Sequence, residues 1–479
     1  MSEGAAAQSP PPVEDDAGEL EVSLYETRKQ IHPRAVKGWF ALSRIALVIL
    51  TQAVFYGTAW LQWNGRQAVL FDLAARKFYL FGLVLWPQDI VYLTALLVIS
   101  ALSLFLFTAL GGRLFCGYAC PQTVYTEIFM WIERHLEGDR QARIRLDAAP
   151  WGVQKLLRRG SKHLIWMGLA LWTGATFVGY FLPVRELLPQ IAHGGISGWP
   201  EFWILFYSFA TYGNAGFMRE QVCKYMCPYA RFQSAMFDRD TLIITYDRLR
   251  GEPRGSRSRK ADRQALGVGD CIDCGICVEV CPTGIDIRNG LQYECIGCAA
   301  CVDGCNQIMK KMNYPTGLIR YSTQNALREG WSRDRIVRRM LRPRTLIYSG
   351  ILIALITGVS VSLALRVPLR VDVLRDRIAL ARILDDGTVE NVYRLQIMNS
   401  AEVGAHYRIS AQGIEGMTMS GTELVDVNPS SMKTLVVALR APSGSSTGSH
   451  PIRFIVQSED ARRIKVSEKS VFRVPTAMP

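Results

Sequence analysis

Cys271-Ile-Asp-Cys274-Gly-Ile-Cys277-Val-Glu-Val-Cys281-Pro282 and, a short way on, Cys295-Ile-Gly-Cys298-Ala-Ala-Cys301-Val-Asp-Gly-Cys305 set the chemistry of this chain. Each run fits C-x₂-C-x₂-C-x₃-C. Three thiolates at two-residue intervals wrap a tight loop around three irons of a cubane, and the fourth cysteine reaches the other cluster. The spacing therefore predicts two 4Fe–4S clusters with crossed ligand sets. The first takes Cys271, Cys274, Cys277 and Cys305, and the second takes Cys295, Cys298, Cys301 and Cys281. The fourth cysteine of each run is expected to open a helix pointing away from its own loop. Gly275 and Gly297 leave room for backbone N–H groups to face the inorganic sulfurs. Zinc sites use four ligands, usually as two C-x₂-C pairs, and the three-cysteine rhythm fits them poorly. One position departs from the pattern: Asn306 stands where a proline is usual.

All twelve cysteines lie between Cys116 and Cys305. Such clustering is metal and redox usage in a reducing compartment, not a secreted disulfide scaffold. The four outside the cassette form a repeat, Cys116-Gly-Tyr118-Ala-Cys120-Pro121 and Cys223-Lys-Tyr225-Met-Cys227-Pro228. Proline is excluded from a helix interior but favoured at its first position. Cys120 and Cys227 are then N-cap residues, where the helix dipole lowers a thiol's pKa. Arg113, Lys224, Arg219 and Arg231 lie close in sequence and push the same way. Four such thiols could bind a soft metal such as cuprous copper, bind a further cluster, or cycle between dithiol and disulfide. The competing reading is four buried structural cysteines. His163 starts the third expected span near the cytoplasmic face, where it reads as an ordinary interfacial residue or as an aid to the thiols, and the six histidines form no paired haem motif.

Mean hydropathy is +0.10 although 55 Lys and Arg and 42 Asp and Glu are present. Apolar blocks of roughly 20 residues explain this and read as membrane spans. Five are expected, at about 40–63, 90–110, 164–183, 202–218 and 345–365. Phe78–Trp86 is too short and reads as interfacial or as a cover for the outer end of the bundle. Loop 112–162 carries nine basic residues and loop 218–344 twenty-two, against three in 63–89 and one in 183–201. This alternation places the amino terminus in the cytoplasm and the carboxyl terminus outside. Residues 1–27 read as a disordered acidic tail, with no signal peptide. Residues 28–218 form the membrane domain with the first thiol motif. Residues 219–344 form a cytoplasmic segment with the second motif and the ferredoxin cassette at about 265–315. The net charge of +13 suits cytoplasmic loops beside anionic lipid. The run Arg250–Arg263 lacks the aromatics and fold of a nucleic-acid site. Residues 367–479 alternate short β-branched runs with turns, as an immunoglobulin-like sandwich does. Its expected strands are Leu369–Leu374, Ile378–Leu384, Tyr393–Met398, Ala405–Ser410, Thr434–Leu439, Pro451–Gln457 and Val471–Val474.

The paired C-x₃-C-P motifs, the cassette and the segment Pro315-Thr-Gly-Leu-Ile-Arg-Tyr-Ser-Thr-Gln-Asn-Ala-Leu327 together resemble the CcoG family of cytochrome c oxidase accessory proteins, also called FixG or RdxA. The resemblance covers all but the first 27 residues. It implies a multi-pass protein of the bacterial inner membrane that serves assembly of cbb-type oxidase with its assembly factors. It further implies an oxidoreductase that reduces cupric to cuprous copper. Cys116, Cys120, Cys223 and Cys227 would handle the copper, and a cytoplasmic donor or quinol would supply electrons. Two other functions stay open: a quinol-coupled relay to a periplasmic reductase, and a scaffold whose outer sandwich docks a partner.

Overall fold

A computed structural model describes residues 13–14, 20–21 and 30–475 of the chain, apart from 262–264, 377–380, 443 and 461–463. Most of the acidic tail, the end of the basic run and the start of the expected strand at 378 thus lie outside the described residues. Three helices are long and apolar enough to cross a membrane: Trp39–Thr58, Pro87–Gly111 and Pro343–Ala364. The other two expected stretches are also helical, but they differ in form. Val153–Val178 starts well before Leu164, and its first turns carry Lys155, Arg158, Arg159 and Lys162. Trp199–Thr211 has only 13 α-helical residues and runs on as the π-helix Tyr212–Met218. All five present apolar side chains at the surface, among them Ile49, Leu97, Leu164, Phe209 and Ile347. Apolar surface on this scale marks contact with lipid or a partner.

Phe78–Trp86 is neither helix nor span. Lys77–Leu80 pairs with Val69–Asp72 and Leu83–Leu85 in a three-stranded antiparallel sheet. This sheet joins the helix ends to the carboxyl-terminal domain. Arg66 pairs with Glu402 at 2.6 Å, Lys77 donates to the Ser430 carbonyl at 2.8 Å, and the Trp86 indole donates to Ser400 Oγ at 3.1 Å. Asp89, buried in the first turn of the second apolar helix, takes Arg366 at 2.5 Å and Arg370 at 3.0 Å. A carboxylate so enclosed needs both cations.

The carboxyl-terminal domain is a sandwich of two antiparallel sheets. One orders Leu369–Arg375, Val389–Asn399, Ser431–Ala441 and Thr418–Ser420, with Arg382–Ile383 on Val389–Asn399. The other orders Leu424–Val427, Ala405–Gln412, Gly448–Ser458 and Lys465–Val474. Tyr393, Leu395 and Ile397 alternate inward on one strand and meet Phe454, Val456 and Phe472 from the facing sheet. Thr418–Ser420 and Leu424–Val427 are strands that the sequence pattern hides. Both are short, and their flanks are polar.

In sequence, the cysteine module lies between the fourth and fifth apolar stretches. Ile243–Tyr246 pairs antiparallel with Ile319–Ser322 and closes it. Ile244, Ile287, Val302, Met309, Leu318 and Ile319 build its core together with Cys271, Cys277 and Cys305. The module is docked on the membrane helices. Asp303 Oδ2 accepts the Ala41 backbone N–H at 2.8 Å, so a residue of the module caps the first apolar helix. Glu279 pairs with Arg34 at 3.1 Å and Arg140 at 3.3 Å.

Candidate functional site

The two cysteine runs fold as loops with short helices. Asp273 and Gly275 in the first loop, and Gly297 and Ala299 in the second, have left-handed backbones. Such turns point successive N–H groups into a common concavity, which suits anionic sulfide. The thiols sort across the runs. Cys277, Cys271 and Cys274, in that order, are the charges that bear on Cys305. Cys298, Cys295 and Cys281 bear most strongly on Cys301. A small pocket lies beside the second group, lined by Cys281, Cys295, Cys298 and Cys301 and also by Cys277 of the first. Burial pushes Cys277, Cys295 and Cys305 each up to about 12. Thiols held so far from ionisation as free groups become thiolates when a metal takes the proton's place. Among the described residues, no group of His, Cys, Asp or Glu closes on a single metal ion. A cubane does not require it, because each cysteine binds a different iron. The donor set fits a pair of such clusters.

The fourth cysteines sit differently from expectation. Cys305 lies inside the helix Ala300–Met312, and Cys281 lies in the turn after Ile276–Glu279. Asn306 explains the first case. Having an N–H where proline has none, it lets the helix run through, and its Oδ1 accepts from Gly317 N at 2.8 Å. Cys274 is exposed and the other cysteines of its group are buried, so one edge of that group faces solvent.

The second assembly is the four remaining thiols. Cys120 and Cys227 are the N-caps of Pro121–Glu137 and Pro228–Met236, each with proline at the first helical position. Cys116 lies in the α-helical turn Leu114–Tyr118 and Cys223 in a π-helical turn, Val222–Met226. One motif thus takes two backbone forms. All four converge: Cys120, Cys223 and Cys227 bear on Cys116, and Cys120 and Cys227 bear on Cys223. The expected lowering of pKa is not found at Cys116, Cys120 or Cys223. Burial pushes Cys116 up to about 12 and Cys223 up to about 11, with the neighbouring thiols adding to it and Arg113 opposing weakly. Burial also raises Cys120, against the N–H groups of Gln122 and Thr123.

The two assemblies touch. Cys116 and Cys223 pack on Val280, Ile296, Cys298 and Ala300 of the module. At Gly117 a Cβ would meet Ile296 O at 2.8 Å and the Cys298 backbone at 2.9 Å. Only glycine lets the backbones approach so closely. Arg113, 5% exposed, ties the parts together. Its guanidinium donates to the carbonyls of Tyr293 and Cys295 beside the second cysteine run, and to Ala230 O at 2.5 Å in the helix after Cys227. Gln233, fully buried, accepts from Cys116 Sγ at 3.4 Å and donates to Gly112 O at 2.9 Å.

Sequence reasoning set Arg113 beside the thiols but missed its bridging place. It also missed Arg44, buried in the first apolar helix, whose charge bears on Cys298. A lone arginine inside an apolar run was the available signal. Gln233 and Asp303 gave none. His163 is not brought to the thiols: its Nδ1 meets Tyr212 OH at 3.0 Å and its ring stacks on Phe217. It lines a polar cavity of about 380 Å³ with Glu133, Glu137, Lys162, Trp166 and Arg219. Glu133, 2% exposed, is held there by Arg143 and Arg219, each at 3.0 Å.

Residues 218–324 match the 4Fe-4S dicluster domain, residues 93–137 a 4Fe-4S binding domain, and residues 359–475 the IG-like fold at the C-terminal of FixG. The chain is 36% identical to nitrogen fixation protein FixG of Rhizobium meliloti, over 90% of each chain. It is 38% identical to protein RdxA of Cereibacter sphaeroides, over 88% of this chain and 91% of that one. It is 25% identical to the ferredoxin-type protein NapH of Haemophilus influenzae, over 46% of this chain and 69% of that one. A crystal structure of a FixG-related protein from Vibrio parahaemolyticus aligns with 23% of this chain and all of its own, at 24% identity and a TM-score of 0.22.

Proposed function

The chain belongs to the FixG/RdxA family of iron–sulfur electron-transfer proteins, and from that premise we propose that it reduces cupric to cuprous copper for the assembly of cbb-type cytochrome c oxidase. One observation carries the reading: Cys116 and Cys223, one thiol from each membrane motif, pack directly on the second cysteine run around Ile296 and Cys298. The proposed ligand sets are Cys271, Cys274, Cys277 and Cys305, and Cys295, Cys298, Cys301 and Cys281. Two 4Fe–4S clusters there supply one-electron carriers. The exposed edge at Cys274 is where a cytoplasmic donor docks, beside the Asp273–Arg288 ion pair. Cys116, Cys120, Cys223 and Cys227 form the far end of the path. Copper enters this proposal as substrate.

The reading places the protein in the bacterial inner membrane with five spans. Its amino terminus and cysteine module face the cytoplasm, and its sandwich faces the periplasm. The basic loops and the apolar exposed faces of all five helices support this. Replacing all four membrane cysteines by serine in the purified protein tests the copper role. Cupric reduction by reduced protein is expected to be lost while the cassette's EPR signals persist. Unchanged reduction sinks it.

The cavity around His163 favours a second reading, a quinol-fed relay. The cavity's carboxylates and the Trp166 indole could seat a quinol ring, with the His163 imidazole to take a proton. Cluster reduction by quinol, with no oxidation by copper, would select it.

A further inference from the structure

We propose that Cys116, Cys120, Cys223 and Cys227 together hold a third iron–sulfur cluster, a four-iron cubane set into the ends of the membrane helices. Eight cysteines of the cassette already satisfy two cubanes, so the dicluster match over 218–324 has no use for Cys223 and Cys227. The 4Fe-4S match over 93–137 contains only Cys116 and Cys120, half the ligands a cubane needs. The fold joins the two half-sites. Each pair comes from one copy of the repeated motif, and the four thiols lie within electrostatic reach of one another.

The 4Fe-4S match over the first motif argues for a cluster over a lone ion.

The surroundings suit an anion. A cubane with four thiolates carries net negative charge. The helices Pro121–Glu137 and Pro228–Met236 both begin at these cysteines, so their partial positive ends meet there. Arg113 adds a buried full charge, and its Nε has no hydrogen-bond partner among the described residues. The Val222–Met226 turn is π-helical, a widening common at functional sites. Packing of Cys116 and Cys223 on Ile296 and Cys298 makes the site continuous with the cassette. The inference stands apart from the copper reading, because it concerns what the thiols hold, not what the protein reduces.

The test is composition of the full-length protein, purified without oxygen in detergent and assayed for iron, acid-labile sulfide and copper. About twelve irons and as many sulfides per chain are expected. The Cys116→Ser/Cys227→Ser variant should fall to about eight with the cassette's EPR signal kept. Thiol counting by alkylation of the native wild-type chain needs no variant, and all twelve cysteines should be protected until iron is chelated. About eight irons in the wild type with four thiols open to alkylation would overturn the proposal. So would one copper per chain in place of the extra irons. Cupric reduction is assayed separately, so failure of this inference and failure of the copper reading remain distinguishable.

Discussion

Arg113 shows how much one side chain can hold. Its hydrogen bonds reach the Cys295 loop and the helix after Cys227, so a single buried cation fixes both to the first thiol motif. Bonds to charged groups are worth about 1.5–3 kcal/mol each, and leaving buried carbonyls unpaired costs as much again. Arg113→Gln is expected to lower the melting temperature and to slow cupric reduction, read by calorimetry and a copper-reduction assay. Arg113→Lys should recover the charge but not the forked geometry, and so only part of both. Cys305 makes the opposite kind of prediction, one of selectivity. It sits in the second run but beside the first, so Cys305→Ser should abolish the cluster of Cys271, Cys274 and Cys277. EPR of the reduced variant should lose the signal of that cluster and keep that of the cluster of Cys281, Cys295, Cys298 and Cys301.

At the scale of elements, the contact between the Leu114–Tyr118 turn and the Cys295–Cys301 loop decides whether the parts work as one. Gly117→Val would drive a branched side chain into the Ile296 and Cys298 backbone. Iron content should stay near wild type, because no ligand is touched. Copper reduction should fall on the order of tenfold or more, as displacement of about an ångström does in other reaction geometries. The motifs that make this contact were legible from spacing, and so was the helix start after each C-x₃-C-P, because proline leaves few backbone choices. What spacing could not show was burial. The dipole at Cys120 is present as expected, yet desolvation outweighs it. The helix through Cys305 was hidden for a related reason. The pattern describes ligands, while Asn306 decides whether the backbone continues. The third and fourth apolar stretches were found as helices, but their charged start and π-helical end arise from packing that hydropathy does not weigh.

At the scale of the molecule, the sandwich has its own core and should fail on its own. Phe454 is fully buried against Tyr393, with ring centres 5.1 Å apart. Phe454→Ala should destabilise this domain by about 3–5 kcal/mol, seen as early proteolysis of residues 367–475 with iron content unchanged. Protease added to the outside of spheroplasts should clip the same variant in that domain and leave the cassette whole, if the proposed orientation holds. Asp303 links the scales in time. The ribosome completes Ala41 long before Asp303, 262 residues later. At ordinary translation rates the first apolar helix waits roughly 15–50 s for its cap. The newborn helix must therefore enter the bilayer with its leading N–H groups served by water or lipid headgroups. Maturation of the cysteine module then locks an element inserted earlier, so a chain starved of iron during synthesis should be recognisable to quality-control proteases at its amino-terminal end.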